Sequence, residues 1–357
     1  MSTTAPASVA PHVDANRVGG RGRWTPSAGD GVFALGLATL IGYAAWLGRD
    51  LWFFSDDWDF IAFHHTGNYL KPYNSHLWLF PLAIFHTLYV TVGLGSYTPY
   101  RVVGLVAYAA LGISLYVYAR QRVQPLYAAL AALSVMWFST AEFNVLFPLL
   151  INFSVPLAAT IAIWMLLDRD TWRCDVVAAG FLAVALASNS VGLITFGVVA
   201  VELLLQRAPI RRWVPFVVPV GLWLVWYAAY RTSFKGPGGV GSVLRYALHE
   251  IQATFAGFAG GSDAGGYVLI VVTVGVFTLS IVRWRTFNAR AAGALAAVAA
   301  FALLSSYTRA GFVPPVLATT PRYLWFNSFF LVVALVEVAR GRRLPPVVAL
   351  VGTVIVV

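Results

Sequence analysis

The chain has 357 residues, 59% hydrophobic and only 11% charged, with 24 lysines and arginines against 14 acids for a net charge of +10. A soluble domain carries about a quarter charged residues, so a water-soluble globular fold is excluded. The basic excess does not indicate nucleic acid either, because the arginines fall in short segments between apolar runs and no zinc-finger, RNA-binding or basic-helix pattern occurs.

Residues 1–30 are rich in Ala, Pro, Gly and Ser and carry Arg17, Arg21 and Arg23, the composition of a disordered cytoplasmic tail. The apolar run 31–54 is long and has no small-x-small cleavage site before Arg49, so it reads as an uncleaved first membrane span. It ends in Ser55-Asp56-Asp57-Trp58-Asp59-Phe60, three carboxylates in four positions. Carboxylates cost roughly 2.5–3.5 kcal/mol each at the centre of a membrane helix, so these lie at or beyond the membrane surface. A first outer loop is expected over about 50–99. Within it, the apolar stretch 77–94 carries Pro81, His86 and Gly93 and is predicted to lie along the outer surface as a helix.

Further spans are predicted at 100–119, 125–141, 147–167, 175–189, 191–206, 213–230, 267–282, 291–307 and 323–339. The expected fold is thus an all-α integral membrane protein of about 10–11 transmembrane helices, with residues 31–357 as one multi-spanning domain. Parity supports the scheme. With the tail inside, Arg120, Arg122, Arg169, Arg173, Arg207, Arg211, Arg212, Arg283, Arg285, Arg290, Arg340, Arg342 and Arg343 all fall inside, as the positive-inside rule requires. Were 77–94 to cross, all of them would face outward. The apolar stretch 344–357 is too short to span and is expected to begin a further helix. The single cysteine, Cys174, excludes an internal disulfide and a multi-cysteine metal site.

The predicted outer face collects the unusual residues. Asp50, Asp56, Asp57, Asp59, His64, His65, Lys71, His76 and His86 lie in the first loop, and Glu142 and Asn144 in a short turn. Arg231, Lys235, Arg245, His249, Glu250 and Asp263 lie in the loop 231–266, and Arg309 and Arg322 flank the last one. The spans are nearly free of charge, unlike a proton- or ion-coupled transporter, which places ionisable groups at mid-membrane. The adjacent carboxylates Asp56 and Asp57 are expected to split their pKa values. Their competing reading is helix capping.

The order of first span, acidic pair, surface helix and many spans resembles the GT-C superfamily of polyprenyl-phosphate-sugar glycosyltransferases. The matching pieces are Asp56-Asp57-Trp58-Asp59-Phe60, Lys71-Pro72-Tyr73-Asn74-Ser75-His76, Glu142-Phe143-Asn144 and Pro321-Arg322-Tyr323. Lys71-Pro72 is followed by Tyr, where some branches have a second Pro. The Ala-, Gly- and Arg-rich composition resembles that of high-GC actinobacterial proteins. The resemblance implies sugar transfer at the outer face of the plasma membrane, from a polyprenyl-phosphate sugar to a hydroxyl of a glycan, lipid or protein. Asp56 would be the general base, with Asp57 orienting the acceptor or binding a divalent cation. Arg309, Arg322 and Arg231 would hold the donor phosphate, and Glu142, His76 and Asp59 would be acceptor or metal candidates. The competing expectations are a non-catalytic lipid or glycan transporter and a structural membrane subunit.

Overall fold

The computed structural model describes residues 25–54, 56–64, 68–138, 141–230, 239–282, 288–311 and 318–342. The arginines of the 1–24 tail, His65, Arg231, Lys235, Arg283, Arg285, Arg343 and the stretch 344–357 lie outside the described residues. Among the described residues the fold is all-α, with fourteen α-helices and no strand. They are α1 (Ala28–Leu47), α2 (Asp56–His64), α3 (Leu79–Val92), α4 (Thr98–Arg120), α5 (Pro125–Met136), α6 (Glu142–Leu146), α7 (Ile151–Leu167) and α8 (Trp172–Ser188). The others are α9 (Val191–Leu205), α10 (Val214–Tyr230), α11 (Val240–Phe258), α12 (Asp263–Val282), α13 (Ala289–Arg309) and α14 (Pro321–Ala339).

Six helical stretches are long and apolar enough to cross a membrane, namely α1, α4, Pro148–Leu167, α12, α13 and α14. The protein is therefore a multi-pass membrane protein. The shorter apolar helices α5, α9 and α10, together with α8, stand where the remaining spans are expected. Valines 268, 271, 272 and 274 on α12 are exposed, as suits a helix facing lipid. In contrast, α14 is buried almost all round, with Trp325, Phe326, Phe329 and Phe330 at the centre of the bundle.

Side-chain bonds fix which helix ends meet. Asp30, in the capping box of α1 with Ser27, also accepts from Tyr116 Oη at 2.6 Å, near the end of α4. At the opposite end, Arg101 Nη2 donates to the α1 carbonyls of Ala44 and Ala45 at 3.1 and 3.0 Å. The Ala44 carbonyl also accepts from the Gly48 amide at 3.0 Å, and a cation suits the negative end of the helix dipole. The two helices are thus antiparallel and tied at both ends.

The end of the bundle that holds Asp30 also holds a buried ion network. Glu337 accepts from Arg122 Nε and Tyr118 Oη. Arg122 Nη2 reaches Asp168 at 2.7 Å, and Arg290 reaches Asp168 at 3.0 Å and Glu202 at 2.6 Å. Arg212 pairs with Asp175 at 3.2 Å and donates to the Leu167 carbonyl at 2.9 Å. The network joins α4, α7, α9, α13 and α14, while Arg212 ties the turn before α10 to α7 and α8. The arginines that the parity argument groups together, where described, do converge on one end.

Helix α3 occupies the segment expected to lie along the surface. Trp78, just before it, packs on Phe60 of α2 at 5.0 Å between ring centroids. The Gly93 carbonyl at its far end accepts from Tyr100 Oη at 3.2 Å. Both ends therefore stay with α2 and the start of α4. Sequence reading treats 231–266 as a loop, whereas α11 fills much of it with 19 residues. Its exposed side carries Val240, Leu244, Arg245, Leu248 and His249, while Ala247, Glu250, Gln252, Ala253 and Phe255 are buried. Glu250 is 0% exposed and bonded to Ser305 and Asn327, while Val240, Leu244 and Leu248 are exposed. Arg245, His249 and Glu250 break the apolar run that would have marked the helix.

Glu337→Ala would leave Arg122 and Arg290 short of a counter-charge in the interior. Breaking a buried pair in this way costs about 3–5 kcal/mol. Thermal unfolding in detergent is expected to show a clear loss of stability. An unchanged midpoint would contradict the role of the network.

Candidate functional site

The end opposite the ion network contains a cavity of about 360 Å³, within the range of small-molecule sites. Its lining includes Asp56, Asn74, Ser75 and His76 of the first loop, with Asn152, Asn189, Ser190 and Trp223. Ser305, Thr308, Arg309, Arg322 and Tyr323 complete the lining. Four predicted site residues from two distant parts of the chain thus meet here: Asp56 and His76 of the first loop, and Arg309 and Arg322 around the last.

Local structure explains the placement. Asp56 is the first residue of α2. The Tyr73 hydroxyl donates to Asp59 Oδ2 at 2.8 Å and also interacts with Asp56. It ties both carboxylates to the following turn. Burial, and then these two acids, raise the Tyr73 pKa well above the ordinary tyrosine value. Tyr73 and His76 exchange backbone hydrogen bonds of 3.1 and 2.9 Å across Asn74 and Ser75. Those two residues have φ of +48° and +66°. Positive φ at both central positions is the geometry of a type I′ turn. In Ser it is costly by about 1–2 kcal/mol, and such strain gathers at functional sites.

Asn189 and Ser190 occupy the corner between α8 and α9. Gly192 allows that corner, since a Cβ there would lie 2.5 Å from the Ala185 backbone. Ser190 Oγ and His76 Nδ1 share a hydrogen bond of 2.7 Å. Burial, then the charges of Arg309 and Arg322, lower the His76 pKa from 6.5 to about 4, so the ring is neutral at physiological pH.

The cationic wall comes from the end of α13 and the start of α14. The Arg309 and Arg322 guanidinium groups lie 4.6 and 5.3 Å from the ring centroid of Tyr323. Among the described residues neither forms an ion pair, whereas Arg122, Arg212 and Arg290 at the other end all do. Behind this wall Ser305 donates to Glu250, which also accepts from Asn327 at 2.9 Å. Burial raises the Glu250 carboxyl to about 7, against the lowering pull of those bonds and of Arg309.

The remaining predicted residues are placed elsewhere. Asp57 is 1% exposed and does not line the cavity. Its Oδ2 accepts from Tyr97 Oη at 2.6 Å and from the Phe54 amide at 3.1 Å, which tie α2 to the start of α4. Burial raises its pKa, with the Asp56 charge a lesser cause, and the two hydrogen bonds oppose the shift. Asp59 is engaged with Tyr73 and is not in the lining. Glu142 is exposed in the first turn of α6, away from the cavity. Arg231 lies outside the described residues. Among the described residues, no three His, Cys, Asp or Glu side chains gather as a metal site.

Sequence reasoning missed Asn152, Trp78, Trp223, Ser190 and Tyr323 as site residues. Asn152 and the Asn189-Ser190 pair interrupt apolar runs, which is a readable signal. The tryptophans are indistinguishable by sequence from an interfacial belt. Comparison with protein-family models, curated proteins and solved structures finds no match.

Above pH 6.5 both the folded and the unfolded chain keep His76 neutral. Between about 6.5 and 4 only the unfolded chain takes up the proton, so His76 makes stability fall as pH drops through that window. His76→Gln is expected to lose less stability than the wild type between pH 7 and pH 5 in thermal unfolding. An identical pH dependence would contradict the buried, neutral ring.

Proposed function

We propose that the protein is a GT-C-type glycosyltransferase that transfers a sugar from a polyprenyl-phosphate donor to an acceptor hydroxyl. The observation that carries this reading is the meeting of two arginines without ion-pair partners among the described residues and a carboxylate, Asp56, in one cavity at one end of a membrane bundle. Guanidinium groups left without carboxylates at an apolar boundary favour an anion, and a phosphate accepts their fork of N–H groups well. Asp56 supplies the opposite need, a base for an acceptor hydroxyl.

The reaction balances on these groups. Asp56 takes the proton of the acceptor hydroxyl as its oxygen bonds to the anomeric carbon. The bond from that carbon to the phosphate oxygen breaks, and its electron pair leaves with the lipid phosphate. Arg309 and Arg322 stabilise the charge that grows on the phosphate. His76, held neutral, adds no third cation and can hydrogen-bond a bound ligand. Asp57 holds α2 against Tyr97 and so positions Asp56. The arginine-rich opposite end favours a cytoplasmic placement for itself and an outer-face placement for the cavity, with the plasma membrane as the site of action.

Asp56→Asn is nearly isosteric. It is expected to lower sugar transfer by about 100- to 10,000-fold while donor binding persists. Arg322→Ala is expected instead to weaken donor binding through loss of a charge-assisted contact of about 1.5–3 kcal/mol. The measurement is transfer of labelled sugar from a polyprenyl-phosphate donor, with donor binding followed separately. Full activity in Asp56→Asn rejects the base assignment. A wild-type protein that transfers no sugar but moves lipid across vesicles would put a transporter in place of the enzyme.

A further inference from the structure

Glu250 takes no part in the proposed reaction, yet it is the carboxylate set behind both arginines of the cavity. Ser305, which donates to it, stands four residues before Arg309 on α13. Asn327, which donates to it at 2.9 Å, stands four residues after Tyr323 on α14. Residues four apart on a helix are neighbours, about 5–6 Å between Cβ atoms. The carboxyl therefore sits about one turn beneath the place where the Arg309 and Arg322 guanidinium groups flank the Tyr323 ring. Glu202 and Glu337 at the other end are held by direct arginine pairs. Glu250 is equally buried and forms no ion pair among the described residues; its bonds are to neutral side chains. An acid placed in this way within a membrane protein calls for a role.

The surroundings accommodate this carboxyl with or without its proton. Ionised, it accepts from Ser305 Oγ and Asn327 Nδ2. Ser305 Oγ also lies 3.0 Å from the Ala302 carbonyl, so its hydroxyl can turn there and accept from a protonated Glu250. Burial raises the carboxyl to about 7, against those bonds and Arg309, so the proton exchanges near neutral pH. Helices α12, α13 and α14 pack on α11. From α13 the facing charge is Arg309, and from α14 Arg322 with the Tyr323 ring. Tyr246, one turn before Glu250 on α11, lies within electrostatic reach of all of these. Arg245 and His249 of α11 and Asp263 of α12 are exposed. His76 and Asp56 reach the same cavity from the first loop. A negative charge held by the two arginines would make a second negative charge on Glu250 harder to keep.

We propose that Glu250 is the proton-linked counter-charge of the anion site: a phosphate held by Arg309 and Arg322 is bound together with a proton that Glu250 takes from solvent. Glu250 touches no ligand and acts through the field of the arginines, so it is a positioning residue. The inference rests on the phosphate-binding part of the glycosyl-transfer reading and not on the transfer step. The proton returns to solvent when the phosphate leaves, and the ionised carboxylate then offsets the two cations of the empty site.

The test uses the full chain in detergent and the methyl diester of a short-chain polyprenyl phosphate, which carries one charge at every pH used. A bound anion that tightens the carboxyl's hold on its proton about tenfold makes wild type bind the diester about fivefold more tightly at pH 6 than at pH 8. Calorimetry at pH 7.5 in two buffers of different protonation enthalpy is expected to show uptake of about half a proton. In Glu250→Gln the affinity is expected to be the same at both pH values, with no uptake. His76→Gln and Asp56→Asn are expected to keep the uptake. Equal affinity at both pH values in wild type, or undiminished uptake in Glu250→Gln, overturns the assignment and leaves the phosphate site standing. No binding at either pH overturns the phosphate site and this inference with it. Should Glu250→Gln fail to fold or to bind, the other two variants decide. Uptake retained in both supports Glu250, and uptake lost in either overturns it.

Discussion

An arginine beside hydrocarbon needs a counter-charge, and this molecule answers that need differently at its two ends. At one end Arg122, Arg212 and Arg290 are buried and paired with Glu337, Asp168, Glu202 and Asp175. At the other, Arg309 and Arg322 flank a cavity and form no ion pair among the described residues. Both ends depend on the same helices: α13 begins with Arg290 and ends with Arg309, and α14 begins near Arg322 and ends near Glu337. The paired end fixes where α13 and α14 stand, and so sets the spacing of the unpaired arginines. Paired buried charges are weak evidence of net stability, but breaking one leaves an uncompensated charge in the interior. Here they hold the frame in which the cavity is built.

The first loop closes that frame. Asp57, turned inward to Tyr97 and the Phe54 amide, anchors α2. Neighbouring residues on a helix point about 100° apart, so only one of the adjacent acids can face the cavity. Tyr73 then links α2 to the strained turn that carries Asn74, Ser75 and His76 over the cavity. Trp226 Nε1 donates to the Leu70 carbonyl at 2.7 Å and joins α10 to the same loop. The chemistry proposed for Asp56 thus depends on groups that need not touch a substrate.

Much of this architecture was legible in the sequence because length and all-round apolarity mark a membrane helix with little ambiguity. The ten expected spans each coincide with a helix, and the expected surface segment holds α3, whose ends stay with α2 and the start of α4. Helix α11 escaped notice because Arg245, His249, Glu250 and Gln252 interrupt its apolar residues on both the exposed and the buried side, leaving no continuous apolar run. At the site, residue type placed Asp56, His76, Arg309 and Arg322 on one predicted face, and all four line one cavity. It could not separate Asp56 from Asp57, since that depends on helix phase and on Tyr97, forty positions away. Nor could it find Asn152 or Trp223. Neutral polar and aromatic residues are common in membrane helices, and only the fold brings these to one cavity.

The most direct measurement is a structure of the protein bound to a non-transferable polyprenyl phosphodiester. The phosphate oxygens are predicted to lie within about 2.7–2.9 Å of guanidinium nitrogens of both Arg309 and Arg322, with the group attached to the phosphate in the cavity and facing Asp56. A phosphate bound away from both arginines, at the end that holds Arg122 and Arg290 or outside the cavity, would contradict the account.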